Sequence, residues 1–172
     1  IDILPRRGAV VKDMSEEHVR SLYEVVDLLF SLVAQKTMGH LQEEQLVPFI
    51  DIIRTMQAQV AARQTADFHE SAFQFLGLAN HFADNSFVQD ILGKMEPALR
   101  RAFYLALHIN RDEMQEALAF FKALLESLLQ QDAAASREVI SEFVGHQRDV
   151  VLESIARSRQ VEEAWNQRRR RS

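Results

Sequence analysis

Three histidines have the chemistry to bind a metal ion, and each belongs to a different predicted helix. His69, His108 and His146 lie in segments whose apolar residues recur at helical spacing. A neutral imidazole is a common ligand of divalent transition metals. One hypothesis is therefore a stand-alone helical metal-binding protein or enzyme that uses these three side chains. The alternative is that each imidazole is hydrogen-bonded within the protein, which is the more common fate of a histidine.

A second group of polar side chains lies on one predicted helix. Arg101, Tyr104 and His108 are spaced i, i+3 and i+7, so they share one face of that helix. A guanidinium or a phenol that points into an apolar pocket would orient a carboxylate or a thioester. This face is a candidate ligand-binding site. For the neighbouring Arg100, a surface salt bridge is an equally good interpretation.

The sequence offers no familiar catalytic arrangement. It contains no cysteine, no Gly-rich phosphate loop, no helical Glu-x-x-His pair and no recognisable Ser-His-Asp set. These patterns supply the nucleophile, the phosphate cradle or the metal ligands in many enzymes. We therefore predict that the protein is not an enzyme.

The composition is typical of a compact helical protein. Of 172 residues, 47% are hydrophobic, with only five Gly and three Pro, which favours the all-α class. The formal net charge of −5 argues against a nucleic-acid-binding body, because phosphates are neutralised by surplus Lys and Arg. The lack of cysteine fits a reducing cytoplasm, and no apolar run reaches the roughly 20 residues of a membrane span. We expect a cytoplasmic protein without a membrane partner.

Hydrophobic periodicity predicts an antiparallel bundle of about six to seven helices. The first is predicted to begin at a capping box of Asp13 and Glu16 and to break at residues 37–40. The others are predicted over residues 43–63, 65–82, 86–109, 110–131 and 132–159.

The two ends of the chain differ from the bundle. Residues 1–12 place β-branched residues around a Pro-Arg-Arg-Gly turn, which predicts a short strand-like segment. Residues 13–160 are the predicted domain. Residues 161–172 form a basic tail with the run Arg168–Arg171, and such a tail is usually solvated.

Four blocks of sequence carry a resemblance to a known family. They are ILPRRGAVV, SLYEVVDLLFSLVA, ILGKMEPALRRAFYLAL and the helix pair from Gln115 to Val151. Together they resemble the FCD domain, the effector-binding and dimerisation half of GntR-family bacterial transcription regulators. The resemblance covers about residues 1–158. It implies a homodimer that responds to a small-molecule effector and controls operator DNA through a winged helix missing from this chain, with Arg6 and Arg7 on the remnant of its wing.

The metal site that the resemblance implies is altered here. Phe121 and Phe143, 22 positions apart, stand where the family has two metal-binding histidines, and Val26 replaces an Arg that often pairs with an acidic effector. We therefore predict no metal cofactor. This pattern is similar to the metal-free FadR branch, which implies a fatty acyl-CoA or an organic acid as effector.

Two alignments remain open for the other family ligands, an Asp and a His four residues later. One retains His69 as a ligand, in case a residual metal site exists, and places Thr65 at the Asp position. The other places Leu76 and Ala72 at those positions. The candidate ligand-binding residues are Arg101, Tyr104, His108, His69, Phe121, Phe143 and His146.

Overall fold

The computed structural model describes residues 14–109 and 112–170. Over these residues it contains six α-helices, one short 3-10 helix and no strand. The elements are α1 (Glu16–His40), the 3-10 segment (Glu43–Leu46), α2 (Val47–Ala62), α3 (Thr65–Phe82), α4 (Ser86–Ile109), α5 (Glu113–Gln130) and α6 (Ala133–Arg170). The predicted all-α helical bundle is confirmed. None of the described helices has the length and apolar character needed to cross a membrane.

Helix ends follow local capping chemistry. The Asn85 side chain accepts a hydrogen bond from the Val88 amide at 3.2 Å, and Asp132 accepts one from the Ala135 amide at 2.9 Å. These side chains satisfy amides at the starts of α4 and α6. The C-caps of α2 and α5 are Arg63 and Gln131, both in the left-handed conformation with φ of 56° and 54°. The predicted bounds of α3 and α4 are confirmed.

Other sequence expectations need correction or fall outside the described residues. The segment of residues 1–12, with Arg6 and Arg7, lies outside them, as does Asp13. Helix α1 is capped by Ser15, whose hydroxyl accepts a hydrogen bond from the His18 amide. The predicted break at residues 37–40 is wrong, because two of these side chains are buried in the core and their burial outweighs weak helix propensity. Helix α6 continues to residue 170, beyond the predicted 159, through a segment without Gly or Pro.

Aromatic rings connect four of the helices through the core. Helix α6 packs against α1, α4 and α5, while α2 packs against α3 and α5. Phe49 of α2 contacts Phe75 of α3 at a ring-centroid distance of 5.0 Å, and Phe75 contacts Phe121 of α5 at 5.1 Å. Phe120 then stacks on Phe143 of α6 at 3.8 Å, with the ring planes within 6° of parallel. This arrangement defines the centre of the bundle.

A buried hydroxyl connects α1 to α3. The Thr37 side chain is fully buried, and its Oγ1 donates a hydrogen bond to the Ala79 carbonyl oxygen at 2.8 Å. The same carbonyl also accepts the Ala83 amide at 3.0 Å. Removing the hydroxyl would therefore leave no unpaired acceptor behind.

We predict that Thr37→Val lowers the free energy of unfolding by about 0.5–1.5 kcal/mol, the net contribution of one hydrogen bond, because the side-chain volume is kept. Urea denaturation would measure this change. The matched control is Thr55→Val, which removes an exposed hydroxyl bonded to the Asp51 carbonyl on α2 and should change stability by less than about 0.5 kcal/mol. Equal losses in the two variants would contradict the prediction.

Candidate ligand-binding site

Two adjoining cavities lie inside the bundle. The larger has a volume of about 120 Å³ and the smaller about 40 Å³, and side chains from α1, α3, α4, α5 and α6 line both. Five side chains line both cavities: Phe30, Phe73, Leu76, Leu99 and Phe120. The two spaces are therefore separated by at most a single layer of apolar side chains.

The cavities follow one another along the bundle axis. On α1 the smaller cavity is lined by Tyr23 and the larger by Val33. On the antiparallel helix α4 the smaller cavity is lined by Phe103 and the larger by Leu92. These residues are about three helical turns apart on each helix, at about 5.4 Å per turn. An elongated ligand could thus occupy both spaces.

Two glycines mark the place where the larger cavity meets the surface. Gly77 of α3 and Gly93 of α4 line the larger cavity, and both are exposed. A Cβ atom built on either glycine would meet no atom within 4 Å. The absence of side chains at these two positions leaves an opening between α3 and α4.

The cavity walls are mostly apolar. The larger cavity has three polar lining residues, Asn80, Gln89 and Glu96, and the smaller has Tyr23 and Gln147. Among the residues that the structure describes, no lysine, arginine or histidine lines either cavity. Such a site suits a ligand with an apolar body and few polar groups.

His69 lies outside both cavities. Its Nε2 donates a hydrogen bond to the Arg100 carbonyl oxygen at 2.9 Å, and its ring stacks on Phe103 at a centroid distance of 5.7 Å. Burial lowers the pKa of His69, and the Arg100 charge acts in the same direction, while the hydrogen bond to the Arg100 carbonyl opposes both. The imidazole is therefore satisfied by a backbone carbonyl of the neighbouring helix.

The predicted face of α4 is present but points outward. Arg101 and His108 are exposed, and Tyr104 retains 45% of its accessible surface. The His108 Nδ1 donates a hydrogen bond to the Tyr104 carbonyl oxygen at 2.7 Å, and the two rings lie 4.0 Å apart. None of the three lines either cavity. Their part in ligand binding stays a prediction.

His146 pairs with a buried carboxylate. Its Nε2 lies 3.0 Å from Oε2 of Glu113, which is only 3% exposed. Over the described ranges, no three His, Cys, Asp or Glu side chains are grouped so that they could hold a metal ion. The hypothesis of a metal cluster formed by His69, His108 and His146 is therefore wrong, because each imidazole has a different partner.

A sequence model of the FCD domain matches residues 21–146, which is more than half of the chain. The chain belongs to the FCD domain family. The FCD domain is the C-terminal effector-binding domain of GntR-family regulators. No curated protein matches the chain.

The smaller cavity of this FCD domain is lined by four side chains that the resemblance aligns with polar residues of the family. Val26, Leu76, Phe121 and Phe143 all line it, whereas His69 does not. In the alignment that uses Leu76, the residue at the histidine position lines both cavities, but Ala72 at its Asp position lines neither. The choice between the two alignments stays open. The aromatic and aliphatic side chains at these positions offer no metal-binding atom.

Three residues at or beside the cavities were not among the predicted site residues: Arg100, Gln147 and Asn80. Arg100 forms ion pairs with Glu70 at 2.9 Å and Glu96 at 2.6 Å, and it lies 4.3 Å over the Phe73 ring. The salt-bridge interpretation of Arg100 is confirmed, and the i, i+4 spacing to Glu96 was its signal. Gln147 and Asn80 were missed, because nothing in the sequence separates a buried amide from an exposed one.

We predict that His69 makes the stability of this FCD domain depend on pH. Its folded-state pKa lies below the unfolded value of about 6.5, so protonation favours the unfolded chain. Its contribution is complete above about pH 6.5 and is lost as the pH falls through the lowered folded-state pKa. His69→Gln should thus lose less stability than the unaltered protein between about pH 7.5 and about pH 5.5 in urea denaturation.

The control for this pH experiment is His40→Gln, which removes an exposed imidazole from the last turn of α1. This variant should keep the pH dependence of the unaltered protein. If His69→Gln and the unaltered protein lost the same stability over the pH range, the assignment to His69 would be wrong.

Proposed function

We propose that this chain is the effector-binding and dimerisation domain of a GntR-family transcription regulator, and that the effector occupies the two adjoining cavities. The observation that carries the proposal is that the smaller cavity is lined by Val26, Leu76, Phe121 and Phe143, which the resemblance aligns with polar side chains of the family. An FCD domain is a regulatory domain, which supports the prediction that the chain is not an enzyme.

The cavity volume favours a small effector. An apolar cavity of about 150 Å³ accommodates benzene, and the larger cavity measures about 120 Å³. A ligand about the size of one ring, extended toward the smaller cavity, fits this space. A long fatty acyl chain would require the helices to separate, so we favour a compact molecule over a fatty acyl-CoA.

The helices that line the cavities also offer a route to DNA. A ligand shifts a conformational equilibrium when it binds one arrangement more tightly than another. Filling the cavities would change how α1 and α4 pack, and α1 is the first described helix of the chain. In this proposal the change in α1 alters the spacing of two DNA-binding elements across a dimer, and hence their fit to operator half-sites.

We predict that closing the opening blocks ligand binding. Toluene is a suitable probe, because it is apolar and about as large as the larger cavity allows. Saturating toluene should raise the melting temperature of the unaltered protein. Gly93→Leu should abolish most of this increase, since its side chain would occupy the opening, without lowering the melting temperature of the free protein, since Leu favours a helix over Gly.

The control for the Gly93→Leu experiment is Gly39→Leu. It changes an exposed glycine of α1 that lines neither cavity and also has open space around it. Gly39→Leu should retain the full toluene response. An undiminished response in Gly93→Leu would show that the ligand binds elsewhere.

Exposed apolar side chains on two helices provide a candidate dimer surface. Val25 and Leu28 on α1 and Phe87 and Ile91 on α4 are large and exposed, with Phe87 retaining 80% of its accessible surface. The members of each pair are three or four residues apart, so they share one helix face. We propose that the homodimer buries these two faces.

We predict that sedimentation at micromolar concentration gives a mass of about twice 19.8 kDa. The double variant Leu28→Glu with Phe87→Glu should sediment as a monomer, because burying unpaired carboxylates in an interface is unfavourable. Leu129→Glu, which changes an exposed residue of α5, should remain dimeric. A monomeric unaltered protein would contradict the proposed dimer.

A further inference from the structure

Each cavity has a lining amide whose oxygen lacks a hydrogen-bond partner. Gln147, which lines the smaller cavity, is 2% exposed, and its Oε1 has no partner in the described part of the chain. The Asn80 Oδ1 is likewise buried and unpartnered, and Asn80 lines the larger cavity. Buried polar atoms in proteins are nearly always hydrogen-bonded, so an orphan acceptor beside a cavity points to a donor that comes from a ligand.

The orientation of the Gln147 amide is determined by its neighbour. Its Nε2 donates a long hydrogen bond, 3.5 Å, to Oε2 of Glu113, a carboxylate that lines neither cavity. Turning the amide over would place its oxygen against this carboxylate, where two acceptors repel each other. The Oε1 is therefore directed away from Glu113, on a side chain that lines the smaller cavity.

The charges around the cavities disfavour an anionic ligand. Glu96 is the one charged side chain on the described walls, and it is anionic. Arg100 binds Glu96 and Glu70 and lines neither cavity. The Tyr23 hydroxyl can donate or accept, and burial raises its pKa, so it stays neutral. A buried carboxylate ligand would thus have no counter-ion.

We propose that the effector is a small neutral molecule with an apolar body of about six to eight non-hydrogen atoms and a hydroxyl or N–H group that donates a hydrogen bond to Oε1 of Gln147. The Oδ1 of Asn80 is available to a second donor at the other end of the site. This inference rests on the proposed function, in which the cavities hold the effector. It replaces the organic acid that the family resemblance implied with a neutral hydrogen-bond donor.

Four ligands of nearly equal size test the proposal by titration calorimetry on the 172-residue protein. Toluene has no polar group, anisole only accepts hydrogen bonds, benzyl alcohol is an isomer of anisole that also donates, and benzoate is anionic. We expect benzyl alcohol to bind about threefold to tenfold more tightly than anisole, the range that one neutral hydrogen bond provides. Benzoate should show no binding at concentrations that saturate with benzyl alcohol.

A variant assigns the preference to one atom. Gln147→Met keeps the side-chain length and removes the amide, so it should bind anisole and benzyl alcohol with equal affinity while still binding toluene. The control Gln59→Met removes another buried amide whose Oε1 lacks a partner but which lines neither cavity, and it should keep the preference for the alcohol. If Gln147→Met does not fold, the ligand series on the unaltered protein still decides.

The outcomes separate this inference from the proposed function. Benzoate binding as tightly as benzyl alcohol, or an alcohol preference that survives Gln147→Met, would overturn the neutral-donor inference. In that case, the proposed function would still hold if toluene binds the unaltered protein and Gly93→Leu abolishes this binding. If none of the four ligands binds, both the ligand class and the assignment of the cavities to a small effector are wrong.

Discussion

The packing of three phenylalanine rings between α5 and α6 determines both the core and the cavities. Phe120 stacks on Phe143, and Phe121 lies beside both with 1% of its surface exposed. Flat, rigid rings that stack in this way hold two helices at a defined separation. They also fill space less adaptably than aliphatic side chains, and all three line the smaller cavity. The proposed ligand site and the core are thus made from the same side chains.

The helices could be predicted from the sequence to the extent that local interactions determine them. Asn85 and Asp132 are capping side chains, and they mark the starts of α4 and α6. The break predicted at residues 37–40 was wrong, since the burial of Thr37 and its hydrogen bond to α3 are tertiary effects. Spacing likewise predicted that Arg101, Tyr104 and His108 share a face, but spacing does not say whether a face is inside or outside.

Predicting the candidate site required the register between helices, which no local sequence pattern contains. Two alignments competed for the family's histidine position, one at His69 and one at Leu76. The packing of α3 against α4 places Leu76 at the cavities and pairs His69 with the Arg100 carbonyl. Gln147 could not be predicted for a related reason, since the unpaired state of its Oε1 exists only in the folded protein.

The left-handed residues at the ends of α2 and α5 make the domain open to stabilisation. Arg63 and Gln131 have positive φ angles, a conformation in which any side chain with a Cβ is strained and glycine is not. Both lie in connections between helices, and neither lines a cavity. Glycine at these two positions would relieve the strain without altering the two cavities. Stabilising substitutions could therefore begin at these connections and leave the aromatic core unchanged.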